Sequence, residues 1–287
     1  MIINDKNKLS VFGSKGFIGS RFTDLYPDDV IEISRADCKA KSSNILYFIS
    51  TVDNYNIHND LHIDIETNLS KLMKVVEANK KEDLVFNFIS SWFVYGQNPD
   101  IPFAEDTTEC RPTGFYSITK RCAEEMLICF CNTFNIRYRI FRLANVLGPG
   151  DNKISRKKNA LQFLMNEMVN DRDLHLYYGG EVLRDYIHVD DVCAALKLCT
   201  DTAPTNQIIN IGSGRPYKFL DIIEKGMELS KSKSRIINIE PTKFHNIVQT
   251  KHSYLDIKKL KSYGFKPKYN IDDIVTKLIN HYNVIKK

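Results

Sequence analysis

The run Leu9-Ser10-Val11-Phe12-Gly13-Ser14-Lys15-Gly16-Phe17-Ile18-Gly19 decides how the rest of the chain is read: a short apolar stretch breaks into three glycines, and helix-compatible Ser20 to Leu25 follow. Strand, glycine turn and helix in that order make a cradle for a phosphate. Gly13 permits the tight turn, Gly16 lets the backbone approach a pyrophosphate, and Gly19 lets the helix pack close to the strand while its N-terminus faces the anion. The spacing is G-x-x-G-x-x-G, not G-x-G-x-x-G. Three glycines can also make a plain turn; the flanking strand and helix favour a dinucleotide, with Phe17 and Ile18 as further contacts in the turn.

The second strand, Val30-Ile31-Glu32-Ile33, leads into Ser34-Arg35 with no acid at the strand end, where the ribose hydroxyls of NAD would be met. A hydroxyl followed by a guanidinium suits the 2′-phosphate of NADP, and Lys15 adds a second cation at the same end. NADP is therefore expected, with NAD as the alternative; two solvated loop cations would look the same. About a dozen residues separate this strand from the next, at 45–49. That is too few for a crossover helix, so the usual third strand and helix are expected to be trimmed or absent. Ser50 and Thr51 fall at the carboxyl end of strand 45–49 as cofactor contacts. Residues 65–80 read as a helix with Leu69, Leu72, Met73 and Val76 on its apolar stripe, and Asn68 is either a surface amide or part of a proton relay.

Residues 84–89 form the next buried strand, and Ser90-Ser91 leave its carboxyl end, where ligands of open parallel sheets bind. Thr113-Gly114-Phe115-Tyr116-Ser117-Ile118-Thr119-Lys120 then opens a helix on which Tyr116 and Lys120 share a face. An unperturbed phenol has a pKa of about 10, so acting as a base near neutrality needs a shift of roughly 3 units, about 4 kcal/mol. Lys120 is expected to supply much of it, and Ser91 to hold a carbonyl or alcohol oxygen. An amphipathic helix with a surface lysine shows the same spacing, so the motif gains weight only from its company. Ala123, Leu127 and Phe130 continue one apolar face and Cys122, Met126 and Cys129 mark another, which points to a second subunit and a homodimer. Strand 138–143 ends at Leu143, a further cofactor contact.

At 287 residues, 43% hydrophobic and 26% charged, the chain has ordinary globular composition and room for one large core or two lobes. A formal charge of +5 with scattered lysines gives no basic, aromatic-interleaved stripe for nucleic acid, and mildly favours small anions. The seven cysteines form no CxxC pair and no partnering histidine spacing, so neither a metal site nor a disulfide framework is expected. No apolar run approaches a membrane span and the first residues lack a signal-peptide core, so a cytoplasmic enzyme is expected.

Gly13-x-x-Gly16-x-x-Gly19, Ser90-Ser91-x-x-Val94-Tyr95-Gly96, Tyr116-x-x-x-Lys120, Arg142-x-x-Asn145-Val146-x-Gly148-Pro149-Gly150, Arg184-Asp185-Tyr186-Ile187-His188-Val189-Asp190-Asp191 and Asn210-Ile211-Gly212-Ser213-Gly214 occur in that order over nearly the whole chain. In this the chain resembles the extended short-chain dehydrogenase/reductases that act on nucleotide sugars, the NAD-dependent epimerase/dehydratases. The resemblance implies an α/β fold: a doubly wound parallel (Rossmann) sheet at 1–148 plus 185–212 and a smaller interleaved nucleotide-sugar lobe at 149–184 plus 213–287. It implies that Ser91, Tyr116 and Lys120 are catalytic and that Asn145, Asn159 and Arg184 hold substrate, with Asp185 and His188 structural. Relatives that dehydrate carry an Asp-Glu pair where this chain has Trp92-Phe93, so dehydration is not expected. The expected activity is NADP(H)-dependent reduction of a nucleotide-linked 4-keto-6-deoxy-hexose in glycan synthesis. The alternatives are a 4-epimerase holding NAD, and a cofactor-binding regulator without turnover.

Overall fold

The computed structural model describes residues 8–151, 155 and 158–286. In chain order it contains β1 (Leu9–Phe12), α1 (Phe17–Leu25), β2 (Val30–Ile33), β3 (Asn44–Tyr47), α2 (Lys71–Ala78), β4 (Val85–Ser91), α3 (Phe115–Thr133), β5 (Arg137–Leu143), β6 (Asn145–Leu147), α4 (Ala160–Val169) and β7 (Leu174–Tyr177). The chain continues through β8 (Leu183–Arg184), β9 (Tyr186–His188), α5 (Val189–Thr202), β10 (Gln207–Ile211), β11 (Tyr217–Lys218), α6 (Phe219–Ser230), β12 (Ile236–Ile239), α7 (Lys243–Val248), α8 (Lys258–Ser262) and α9 (Ile271–Lys286).

Six strands pair in parallel in the order β10-β5-β4-β3-β1-β2. Their alternating side chains enter two separate apolar clusters: Val11, Leu46, Phe141 and Ile209 pack with α5, and Phe12, Tyr47, Phe86, Phe88 and Ile140 pack with α2 and α3. A sheet buried on both faces by helices is the doubly wound architecture. The chain runs from β2 at the sheet edge to β3 with no helix between, as the short spacing predicts. Since β2 and β3 flank β1 on opposite sides, the carboxyl end of β1 is a topological switch point.

A third cluster joins Leu147, α4, β7, α6 and α9. Leu255, Ile257, Leu260 and Phe265 pack in the first cluster, so the chain returns to the sheet there. Asp185 ties these parts, accepting from the Ser213 N–H and hydroxyl, the Gly214 N–H and the Leu255 N–H. His188 caps α5, its Nδ1 accepting from the Asp190 N–H at 3.1 Å. The helix expected at 65–80 begins as a π-helical turn, Ile65–Ser70, and becomes regular only at Lys71. Such turns recur at functional sites.

Candidate active site

The glycine cradle forms as the spacing predicts. Gly13 has φ +84°, and a Cβ there would lie 3.1 Å from the Ile49 nitrogen; a Cβ on Gly19 would come within 2.3 Å of the Gly13 carbonyl oxygen. α1 starts at Phe17 with no side-chain cap and no acid in its first turn, so its first N–H groups are presented toward the loop without a competing anion. These residues fit a dinucleotide pyrophosphate. Phe17 and Ile18 are half-buried, while Ser34 and Arg35 are exposed after β2. Lys15, expected as an available cation, instead pairs with Glu32 at 2.7 Å. Glu32 lies one residue inside β2, and the register Val11↔Glu32 carries it toward the glycine turn. The side chains are 87% and 44% exposed, so the pair is weak.

Ser91 ends β4 and Leu143 ends β5 in direct register. The Ser91 hydroxyl accepts from the Phe93 N–H at 3.3 Å. Tyr116 and Lys120 lie on the inner face of α3, 7% and 2% exposed. Burial pushes the Tyr116 phenol up to about 12; hydrogen bonds with Ser91 and Ser50 oppose the rise, and the charge of Asp64 adds to it. The structure therefore brings Ser50, Ser91 and Tyr116 together. It does not show the expected lowering of the phenol by Lys120. Burial pushes that ammonium down to about 7, against the charge of Glu124. Lys120 donates to the Ile89 carbonyl at 2.7 Å and sits 4.1 Å from the centre of the Phe88 ring. A cation so desolvated is poorly placed to stabilise a second buried charge.

Asn68 resolves as a buried junction. Its Oδ1 accepts from the Ser50 hydroxyl at 3.0 Å and the Thr51 N–H at 2.9 Å, and its Nδ2 donates to the Thr51 and Thr119 hydroxyls. Three acids that the sequence reading passed over, Glu32, Asp64 and Glu124, all act here through contacts with residues distant in sequence.

Near Ser91, Tyr116 and Lys120, a cavity of about 790 Å³ is lined by Val52, Asn54, Trp92 and Phe93 at one end and by Asn145, Asn159 and Arg184 further along. Ser91, Tyr116 and Lys120 are not on its wall; Phe93 is, and its ring lies edge-on to Tyr116 at 6.1 Å. Lys158, Arg184 and Lys251 line it with three histidines, and among the described lining residues there is no Asp or Glu. Asn145 is held by its Nδ2 donating to the Asp185 carbonyl at 2.9 Å. Asn159 takes a left-handed conformation before α4. Arg184 donates to the carbonyls of Leu183, Lys251 and Thr250 at 2.9, 2.8 and 2.6 Å, and so staples the 250–251 loop while facing the cavity. Tyr55 meets His245 across the mouth at 3.3 Å. Burial pushes His245 down to about 4, so it is neutral near pH 7.

Among the described residues no helix is long and apolar enough to cross a membrane, and no group of three or more His, Cys, Asp or Glu side chains forms a metal set. The family model of the NAD dependent epimerase/dehydratase family matches residues 44–212. The chain is 28% identical to dTDP-4-dehydro-6-deoxyglucose reductase of Escherichia coli, over 78% of this chain and 68% of that protein. Among solved structures, UDP-glucose 4-epimerase of Thermotoga maritima with UDP-glucose superposes with a TM-score of 0.88 at 22% identity, covering 98% of this chain and all of that one. RMD from Pseudomonas aeruginosa complexed with NADPH gives 0.84 at 18% identity, covering 97% and 99%. With the glycine cradle, the Ser-Tyr-Lys set and the family model in agreement, the chain is an NAD(P)-dependent enzyme of the NAD dependent epimerase/dehydratase family, one of the extended short-chain dehydrogenase/reductases.

Proposed function

We propose that the enzyme reduces a nucleotide-linked 4-keto-6-deoxy-hexose with NADPH. The observation that carries this reading is the end of the cavity lined by Val52, Trp92 and Phe93, apolar residues of which the last two directly follow Ser91 in the chain. A sugar methyl is matched by such a wall, whereas a sugar carboxylate would call for a cation there. The same positions hold none of the carboxylates that elimination of water needs. Further along, Arg184, Lys158 and Lys251 suit a nucleoside diphosphate, with Asn145 and Asn159 as neutral contacts.

The nicotinamide, when bound, supplies the hydride. Ser91 donates to the carbonyl oxygen and orients it, and Tyr116 donates its phenol proton to that oxygen as charge develops. A phenol pushed up to about 12 is held in the acid form this direction requires. Lys120 would seat the nicotinamide ribose. Gly13, Gly16 and Gly19 would admit the pyrophosphate, and Lys15, Ser34 and Arg35 would meet the 2′-phosphate. Because the exposed Lys15–Glu32 pair is worth about 1 kcal/mol at most, a phosphate can displace the carboxylate.

Ile118 and Met126 on the outer side of α3 are 46% and 37% exposed, and we infer that two copies associate there. Sedimentation of the purified protein at several concentrations tests the pairing.

The second reading is a 4-epimerase, favoured by Glu32: once Lys15 is paired, the adenosine end is less selective for a 2′-phosphate. Stoichiometric loss of NADPH absorbance on adding a dTDP- or GDP-linked 4-keto-6-deoxy sugar supports the reductase. Interconversion of UDP-hexoses with no net change in absorbance supports the epimerase.

A further inference from the structure

A buried carboxylate stands beside the catalytic residues, and the proton chemistry above does not use it. Asp64, just before the π-helical turn, is 1% exposed. Its Oδ1 accepts from the Thr51 hydroxyl and from Asn56 Nδ2, while its Oδ2 is buried without a hydrogen-bond partner. A buried carboxylate oxygen without a protein partner is costly, and groups kept at such a cost are often functional. From Asp64 the hydrogen bonds run inward. Thr51 Oγ1 accepts from Asn68 Nδ2 at 2.9 Å, Asn68 Oδ1 accepts from the Ser50 hydroxyl at 3.0 Å, and Ser50 borders the Tyr116 phenol.

We propose that Asp64 is a positioning residue for the reaction: acting through Thr51, Asn68 and Ser50, its carboxylate keeps the Tyr116 phenol protonated until a substrate oxygen takes the proton. This rests on the oxidoreductase reading of the site. In the step concerned the phenol O–H bond breaks, the new O–H bond forms on the substrate, and a phenolate is left, while the carbon gains its hydride from reduced nicotinamide. The negative charge of Asp64 opposes that phenolate and so sets how readily the reverse reaction finds its base. Among the described residues, Asp64 is the charged group that acts on the phenol, from the π-helical side, and Lys120 lies one turn along α3. The ammonium is engaged by the Ile89 carbonyl and faced by Glu124. Ser91 and Ser50 reach the phenol from β4 and from the loop after β3 as neutral hydroxyls.

Asp64→Asn removes the charge and keeps the shape. Ultraviolet difference titration of tyrosinate, each protein measured against its own Tyr116→Phe counterpart, reads this phenol alone and needs no turnover. It is expected to show ionisation at a lower pH in the variant. With substrate and NADPH, the alkaline limb of the reduction profile should move down equally, and alcohol oxidation near neutral pH should rise several-fold. If the amide variant does not fold, Asp64→Ser carries the same test. An unchanged phenol titration overturns the proposal, whatever the change in melting temperature. A shifted titration in a protein that turns over no keto sugar supports the role of Asp64 and refutes only the reductase reading.

Discussion

The Lys120 ammonium lies 2.7 Å from the carbonyl oxygen of Ile89, in a seat where burial pushes its pKa down to about 7. The unfolded chain holds this proton up to the ordinary lysine range near 10.5, so between about 7 and 10.5 the unfolded state binds more protons than the folded one. Folded stability therefore rises with pH across that window and is lost as pH falls through 7. Lys120→Met removes the effect but leaves the Ile89 carbonyl short of a donor, which costs about 1–3 kcal/mol. Melting curves from pH 6 to 10 should show the parent gaining a few kcal/mol on the variant as pH rises. Parallel curves would contradict the buried, titrating ammonium.

At the other end of the cofactor groove, Glu32 neutralises Lys15 across an exposed contact of 2.7 Å. Glu32→Gln should free the lysine and tighten NADPH about two- to five-fold, the worth of a surface pair, with NADH little changed. Arg35→Ala should weaken NADPH by about 1.5–3 kcal/mol, as for loss of a hydrogen bond to a charged group. Fluorescence titration of both nucleotides checks the two variants together. Equal affinity for NADPH and NADH in the unaltered protein would remove the NADP assignment.

Glu124 and Arg142 form a buried two-point pair, Nε to Oε1 at 3.1 Å and Nη2 to Oε2 at 2.8 Å, one helical turn from Lys120. Arg142→Met leaves Glu124 with only the partly exposed Arg121, 2.9 Å from its Oε2, so the substitution should cost up to about 3–5 kcal/mol in urea unfolding. Burial would raise the Glu124 carboxyl, but the charge of Arg142 and its hydrogen bonds outweigh this and hold the group below its usual 4.5. That contribution is present above pH 4.5 and is lost as pH falls through the lowered value. Glu124→Gln should accordingly be destabilised at neutral pH and less sensitive to acid than the parent.

The glycine turn, the Ser91 strand end and the Tyr116–Lys120 face were legible because each is local: a turn geometry, a strand terminus and a helical period. The three acids were not. Glu32 reaches Lys15 only through the β1–β2 register, Glu124 meets Arg142 across the helix–sheet interface, and Asp64, just before the π-helical turn, meets Thr51 in the loop after β3. Spacing along the chain carries none of that information. The direction of the phenol shift was missed for a related reason: sharing a face places Lys120 near Tyr116, but burial, a property of the packed fold, decides which charge state survives.

Arg184 separates a ligand grip from a structural staple. Its guanidinium satisfies three backbone carbonyls at 2.6–2.9 Å and lines the cavity as well, a division of donors that only a planar fork supports. Arg184→Lys keeps the charge and loses the fork, so the 250–251 loop should loosen, costing about 1–3 kcal/mol and several degrees of melting temperature. If the same group holds a diphosphate, UDP, dTDP or GDP should bind about ten-fold more weakly or worse. The two effects come apart in a thermal-shift experiment with saturating nucleotide, because a ligand that binds only the folded state raises the midpoint according to its affinity. The parent should show a clear rise that shrinks in the variant at equal nucleotide. A variant that melts lower but keeps the full nucleotide-dependent rise would leave Arg184 as a staple alone, and the diphosphate would then have to be held by Lys158 and Lys251.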